Sequence, residues 1–280
     1  MSQPRWAQRT PPTKQIPAQF NPQTTVVTGQ TSSAMEIEIE VEGGLATGPI
    51  VAEDHASPVS APPSEPYDQR PFSESLTVMD RTLIVLDYDD TLFPTTQFCE
   101  DGYTTSLMCE GAQLTAQCKQ QVYGVESEAV RLVSMCRGFG TCVLLTNAEW
   151  RWLEQSSHHY MPRLKKQLQD DEIAIAFGRE WQQQYPSEPG MWKQMSFRSE
   201  LTKMRQRIGP SATIRLVSIG DSTFERTAAE MAGKLDGNVE VKTIKLVDLP
   251  SPGMLRQQIA LLCLALKEIL DRDGALSIDM

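Results

Sequence analysis

Histidine is scarce in this chain, at three of 280 residues. The six cysteines, Cys99, Cys109, Cys118, Cys136, Cys142 and Cys263, form no C-x-x-C pair. A structural zinc site, which needs four such ligands at characteristic spacing, is therefore not expected, and reduced thiols are. No apolar run approaches the length of a bilayer, and no signal-peptide core follows the first residues. The expectation is a chain with no membrane partner, placed in the cytoplasm. Basic residues are outnumbered, 26 Lys and Arg against 36 Asp and Glu, for a formal charge of -10. Phosphate backbones need a basic face, so nucleic acid is not an expected partner. Two local basic groups, Arg163, Lys165, Lys166 and Arg198, Lys203, Arg205, Arg207, fall in helical patterns and read as solvated faces.

Acid is missing from residues 1–35, where Arg5, Arg9 and Lys14 give a composition similar to an organelle transit peptide. Pro4, Pro11, Pro12, Pro17 and Pro22 break the amphipathic helix that such peptides use. Residues 1–77 as a whole are rich in Pro, Ser, Thr and Gln and poor in large apolar groups. That composition cannot offset chain entropy by burial, so a disordered tail is expected there. Within it Met35–Glu42 alternates apolar and acidic residues, and reads as an added edge strand, a docking segment for a protein partner, or solvated extended chain.

What the chain does have begins at residue 78. Strand patterns over 82–87, 141–146, 172–176, 213–219 and 239–247 alternate with helical ones over 126–137, 148–156, 160–169, 190–208, 223–233 and 253–271. The last helix is the clearest, with Leu255, Ile259, Leu262, Leu266, Ile269 and Leu270 on one stripe. Such alternation implies an α/β domain over 78–275, with a mainly parallel sheet covered by helices.

The first strand carries the strongest chemical signal. Leu83-Ile84-Val85-Leu86 runs into Asp87-Tyr88-Asp89-Asp90-Thr91-Leu92. A continuous apolar run suits a strand buried on both faces, and aspartate ends it. Asp87 and Asp89 then stand at the carboxyl end of a central strand, where open α/β sheets bind ligands. Acids this close repel, and a hard cation or a shared proton must lie between them. Three more pieces follow in order. Thr146 and Asn147 end a strand and enter a helix, where a hydroxyl and backbone N–H groups can hold a phosphate. Lys193 follows the Pro189-Gly190 turn at a helix start, with Lys165, Lys166 and Lys203 as competitors. Finally, Gly220-Asp221-Ser222-Thr223-Phe224-Glu225 ends an apolar strand and puts Asp221 and Glu225 on one face of the next helix.

These pieces resemble the motifs of the haloacid dehalogenase (HAD) superfamily, which is dominated by magnesium-dependent phosphatases and phosphotransferases. The phrases Thr146–Trp150, Tyr160-Met161-Pro162, Tyr185-Pro186 and Trp192-Lys193 are similar to a branch of HAD-like proteins in microbial eukaryotes. The resemblance covers roughly residues 79–275 and implies a Rossmann-like three-layer α/β/α sandwich. It also implies roles. Asp87 would be the nucleophile that forms an aspartyl-phosphate, and Asp89 the general acid and then base. Mg2+ would be held by Asp87, the Asp89 carbonyl and Asp221. Thr146, Asn147 and Lys193 would bind phosphate, while Thr91, Ser222 and Glu225 support from behind. Asp90 receives no chemistry and reads as a solvated loop acid. The gaps on either side of Thr146 are too short for a separate cap domain, and residues 93–125 read as a mobile flap. An open site suits a phosphorylated small molecule or a phosphoprotein. The competing expectation is a non-catalytic module of the same fold that binds a partner. Trp150, Trp152, Trp181 and Trp192 read as packing residues.

Overall fold

The computed structural model describes residues 76–103 and 114–280. Nearly all of the expected tail, including the alternating segment 35–42, lies outside the described residues. So does the middle of the expected flap.

Strand β1 (Thr82–Leu86) is buried along its whole length. Its side chains alternate between two cores, Ile84 and Leu86 into one and Leu83 and Val85 into the other. That pattern requires helices on both faces, and they are there. The first core is completed by α2 (Ala116–Phe139), α3 (Trp150–Tyr160), α4 (Pro162–Asp170) and α7 (Pro252–Asp271). The second is completed by α5 (Pro189–Ile208) and α6 (Thr223–Asp236). The remaining strands are β2 (Thr141–Thr146), β3 (Ala174–Phe177), β4 (Ile214–Gly220), β5 (Val239–Lys245) and β6 (Leu276–Asp279). The sheet order is β3-β2-β1-β4-β5-β6, and every pairing is parallel. The architecture is therefore a Rossmann-like three-layer sandwich, built on the helix-covered parallel sheet that the alternation implied.

Three local expectations need correction. The sheet does not end by residue 275, because β6 pairs with β5 from Leu276↔Lys242 to Asp279↔Lys245. The helix expected from 126 starts at Ala116, capped by the Thr115 side chain, which accepts from the Cys118 N–H at 3.1 Å. Residues 93–103 are not a loose cover. Helix α1 (Thr95–Glu100) forms there, and Phe93 and Phe98 are fully buried against Tyr88, Tyr103 and Tyr160. Burying each such ring contributes about 1.5–3 kcal/mol, which anchors the segment.

Helix α2 also orients its neighbour. Glu126, buried on α2, accepts from the Arg163 and Leu164 N–H groups at 2.6 and 3.3 Å, at the start of α4. Those amides have no partners within their own helix, so a carboxylate from another helix serves as the cap. Among the described residues, no helix is long and apolar enough to cross a membrane. Cys99, Cys118, Cys136, Cys142 and Cys263 are free thiols.

Candidate active site

Parallel strands bring their carboxyl ends together, and the expected site residues sit at the tips of β1, β2 and β4. Asp87 directly follows β1, and its N–H bonds the Ile219 carbonyl of β4 at 2.9 Å. This bond sets Asp87 beside Gly220 and Asp221. Gly220 is needed at this point, since a Cβ there would lie 2.6 Å from Cγ of Glu225. Glu225 itself is held by a capping box. Its Oε2 accepts from the Ser222 N–H at 3.1 Å and from the Ser222 hydroxyl.

Lys193 rises from the first turns of α5 into this cleft and is buried. Its ammonium contacts Asp87 Oδ1, lies 2.9 Å from Glu225 Oε1, and donates to the Leu145 carbonyl at 3.3 Å. An ammonium has three N–H donors, so all three are spent within the protein. The competing lysines lie in other ion pairs, Lys165 with Glu154, Lys166 with Asp170 and Lys203 with Glu200. Burial pushes Asp87 well above the ordinary carboxylate range, against the pull of Lys193, and the charges of Glu225 and Asp89 add to the rise. Burial also disfavours the Lys193 charge, but Asp87 and Glu225 outweigh it and hold the ammonium above its usual value. Glu225 feels the same burial, yet Lys193 and Ser222 keep it below its ordinary value.

Asp89 faces α1, α3 and the tip of β2. Its Oδ1 accepts from the Thr95 hydroxyl at 2.6 Å and the Trp152 indole N–H at 2.8 Å. Its Oδ2 accepts from the Thr146 hydroxyl at 2.9 Å. Thr146 is fully buried, and its oxygen accepts in turn from the Ala148 N–H at 2.9 Å. The hydroxyl expected to hold phosphate is therefore engaged by Asp89. Asn147 donates to the Pro189 carbonyl at 3.2 Å, while its Oδ1 is buried without a hydrogen bond. That oxygen sits where a side chain at Gly178 would fall, 2.0 Å from the position of a Cβ.

Asp221 directly follows β4, and Thr91 donates to its Oδ1 at 3.2 Å. Burial, with the charges of Glu225 and Asp90, raises its carboxyl to about 7. Asp90 corrects an expectation. It is buried, with φ of 54°, and it accepts from the Thr96 N–H at 3.0 Å and the Thr96 hydroxyl at 2.5 Å. It is thus the clasp of its loop, not a solvated acid, and aspartate is among the side chains that tolerate this left-handed backbone.

Ion pairs and hydrogen bonds thus gather Asp87, Lys193, Glu225 and Ser222 into one group, Asp89 and Thr146 into a second, and Thr91 and Asp221 into a third, at neighbouring strand tips. Thr95 and Trp152 are the members that sequence reasoning missed. Nothing in their local pattern signals a bond to Asp89, although Trp152 does lie within a few residues of Thr146. No group of three His, Cys, Asp or Glu side chains with metal-holding geometry exists among the described residues. The expected magnesium set does not need one, since it uses the side chains of Asp87 and Asp221 with the Asp89 carbonyl. Among the described residues, no ion pair reaches Asp89, Asp90 or Asp221. Hard oxygen donors around an excess of negative charge are a fit for Mg2+. No family model, curated protein or solved structure matches the chain.

Proposed function

We propose that the protein is a magnesium-dependent phosphatase of HAD type, hydrolysing a phosphomonoester through an aspartyl-phosphate on Asp87. One observation carries this reading. A carboxylate at the tip of the central strand is clasped by a buried lysine that Glu225 braces from a third element. An arrangement of that kind costs stability to bury, which argues for a task beyond folding.

In the proposed reaction a carboxylate oxygen of Asp87 attacks phosphorus. The bond to the leaving oxygen breaks with its electron pair, and Asp89 protonates that oxygen. Asp89 then removes a proton from water, which attacks the phosphorus and restores the Asp87 carboxylate. Lys193 and Thr146 bind the non-bridging oxygens, Lys193 by exchanging one of its present partners and Thr146 by turning its hydroxyl from Asp89. Mg2+, when bound, supplies positive charge that keeps Asp87 and Asp221 ionised and draws charge from the phosphoryl group. Asp87, Asp221 and the Asp89 carbonyl are the groups that would hold it. Asp89 also separates this chemistry from carbon–halogen hydrolysis, which has no alkoxide to protonate.

A non-catalytic binding module is the second reading. It is favoured by the donors of Thr146 and Lys193 being satisfied internally. Two measurements separate the readings: magnesium-dependent release of phosphate from a panel of phosphomonoesters and phosphopeptides, and formation of a beryllium fluoride adduct on Asp87. The phosphatase gives both, and Asp87→Asn abolishes both while remaining folded. Turnover that survives in Asp87→Asn, or a wild-type chain that gives neither signal, defeats the proposal.

A further inference from the structure

We infer that Trp152, together with Thr95, is a positioning residue that turns Asp89 so that its Oδ2 alone serves the leaving group; this rests on the reading of Asp89 as the proton donor. The two oxygens of Asp89 have unlike surroundings. Oδ1 takes two donors, the Thr95 hydroxyl at 2.6 Å and the Trp152 indole at 2.8 Å. An indole N–H can only donate, so this oxygen stays an acceptor throughout. With two donors already on it, Oδ1 has no place for a carboxyl proton. Among the described residues Oδ2 has one hydrogen-bond partner, the Thr146 hydroxyl at 2.9 Å, and a hydroxyl can donate or accept. Oδ2 is therefore the oxygen left to turn toward a leaving group, on the side of the residue proposed to bind phosphate.

Helix α3 makes the arrangement rigid. Trp152 packs edge-on against Phe93, with ring centroids 6.1 Å apart at 61°. One turn further along, Ser156 bonds the Tyr88 hydroxyl at 2.9 Å and returns a bond to the Trp152 carbonyl at 2.7 Å. Residues four apart share a helix face. A single face of α3 thus holds the consecutive residues Tyr88 and Asp89. An indole N–H withdrawn from water takes some acceptor, as Trp192 takes the Tyr185 carbonyl at 2.6 Å; the acceptor of Trp152 is the Asp89 carboxylate.

Trp152→Phe keeps the ring and removes the donor, and Thr95→Val removes the other donor at similar volume. With Mg2+ present, each variant is compared with wild type on 4-nitrophenyl phosphate, whose leaving group departs without a proton, and on an alkyl phosphate, which needs one. The expected result, read in a single turnover so that only the first half-reaction is seen, is a loss of about 10–100-fold in the rate of alcohol release from the alkyl ester, with nitrophenol release from the aryl ester within about threefold. If Trp152→Phe fails to fold, judged by its circular dichroism, Thr95→Val carries the comparison. Separately, the indole N–H resonance of Trp152, assigned by its loss in Trp152→Phe, should move upfield in Asp89→Ala. Equal losses on the two esters, no loss on either, or an unmoved resonance overturns the inference. A wild-type chain that turns over neither ester defeats the phosphatase reading and this role together, and the resonance shift tells that case from a missing contact.

Discussion

Replacing Asp221 by Asn should stabilise the metal-free protein near pH 8 and leave it unchanged near pH 4. The folded chain holds the Asp221 carboxyl at about 7, against 3.8 for an ordinary aspartate, through burial and the nearby charges of Glu225 and Asp90. Between those values the folded state keeps a proton that the unfolded state releases. Stability therefore falls as pH rises from about 4 to about 7, and is level above that. That difference corresponds to about 4 kcal/mol. Asp221 is partly open to water, which screens the effect and leaves on the order of 1–3 kcal/mol. Asparagine carries no charge and retains an oxygen for the Thr91 hydroxyl. In a domain of this size the gain corresponds to a rise of roughly 3–9 °C in Tm at pH 8. The assay is thermal unfolding of both chains in chelator from about pH 4 to 8, repeated with Mg2+. Added Mg2+ should stabilise wild type, by an amount that grows toward neutral pH as the competing proton leaves, and should leave the asparagine chain nearly unmoved. If the variant melts at or below wild type at pH 8, or if the gap does not change with pH, the electrostatic reading of this cleft is wrong.

Two further substitutions probe the same cleft. Lys193→Met leaves Asp87 and Glu225 buried without their ammonium and should cost about 3–5 kcal/mol in urea unfolding, part of which a second change, Glu225→Gln, restores. A loss below about 1 kcal/mol would mean that water already solvates the cluster. Gly220→Ala drives a methyl to within 2.6 Å of Cγ of Glu225 and should cost about 1–3 kcal/mol while loosening Glu225 from Lys193. Unchanged thermal stability in that variant would show that the strand tip yields freely.

The central strand could be read from sequence because its chemistry is local: four large apolar residues, then acid. The choice of Lys193 over Lys165, Lys166 and Lys203 also had a local basis, since Pro189 and Gly190 mark the helix start that presents it. Other parts have no such signature. Strand β6 is four residues, with a serine and an aspartate among them, and only its pairing with β5 makes it a strand. The first turns of α2 read Ala116-Gln117-Cys118-Lys119-Gln120-Gln121, a polar run of which only Cys118 is buried, so no apolar stripe announces the helix there. Trp152 reaches Asp89 across the fold, and no spacing rule finds a bond between residues 63 apart, while Thr95 is six residues away, where α1 begins after an irregular turn. Asp90 misled because acid in a loop normally faces water, whereas here its side chain replaces missing backbone partners at Thr96.

The strand order has a mechanical consequence. From β1 the chain builds outward in one direction through β2 and β3, then returns to build the other way through β4, β5 and β6. The tips of β1 and β4, which carry Asp87 and Asp221, are where these two wings part. A ligand spanning that seam acts as a strut between them, and hydrogen exchange should slow on both wings at once when it binds.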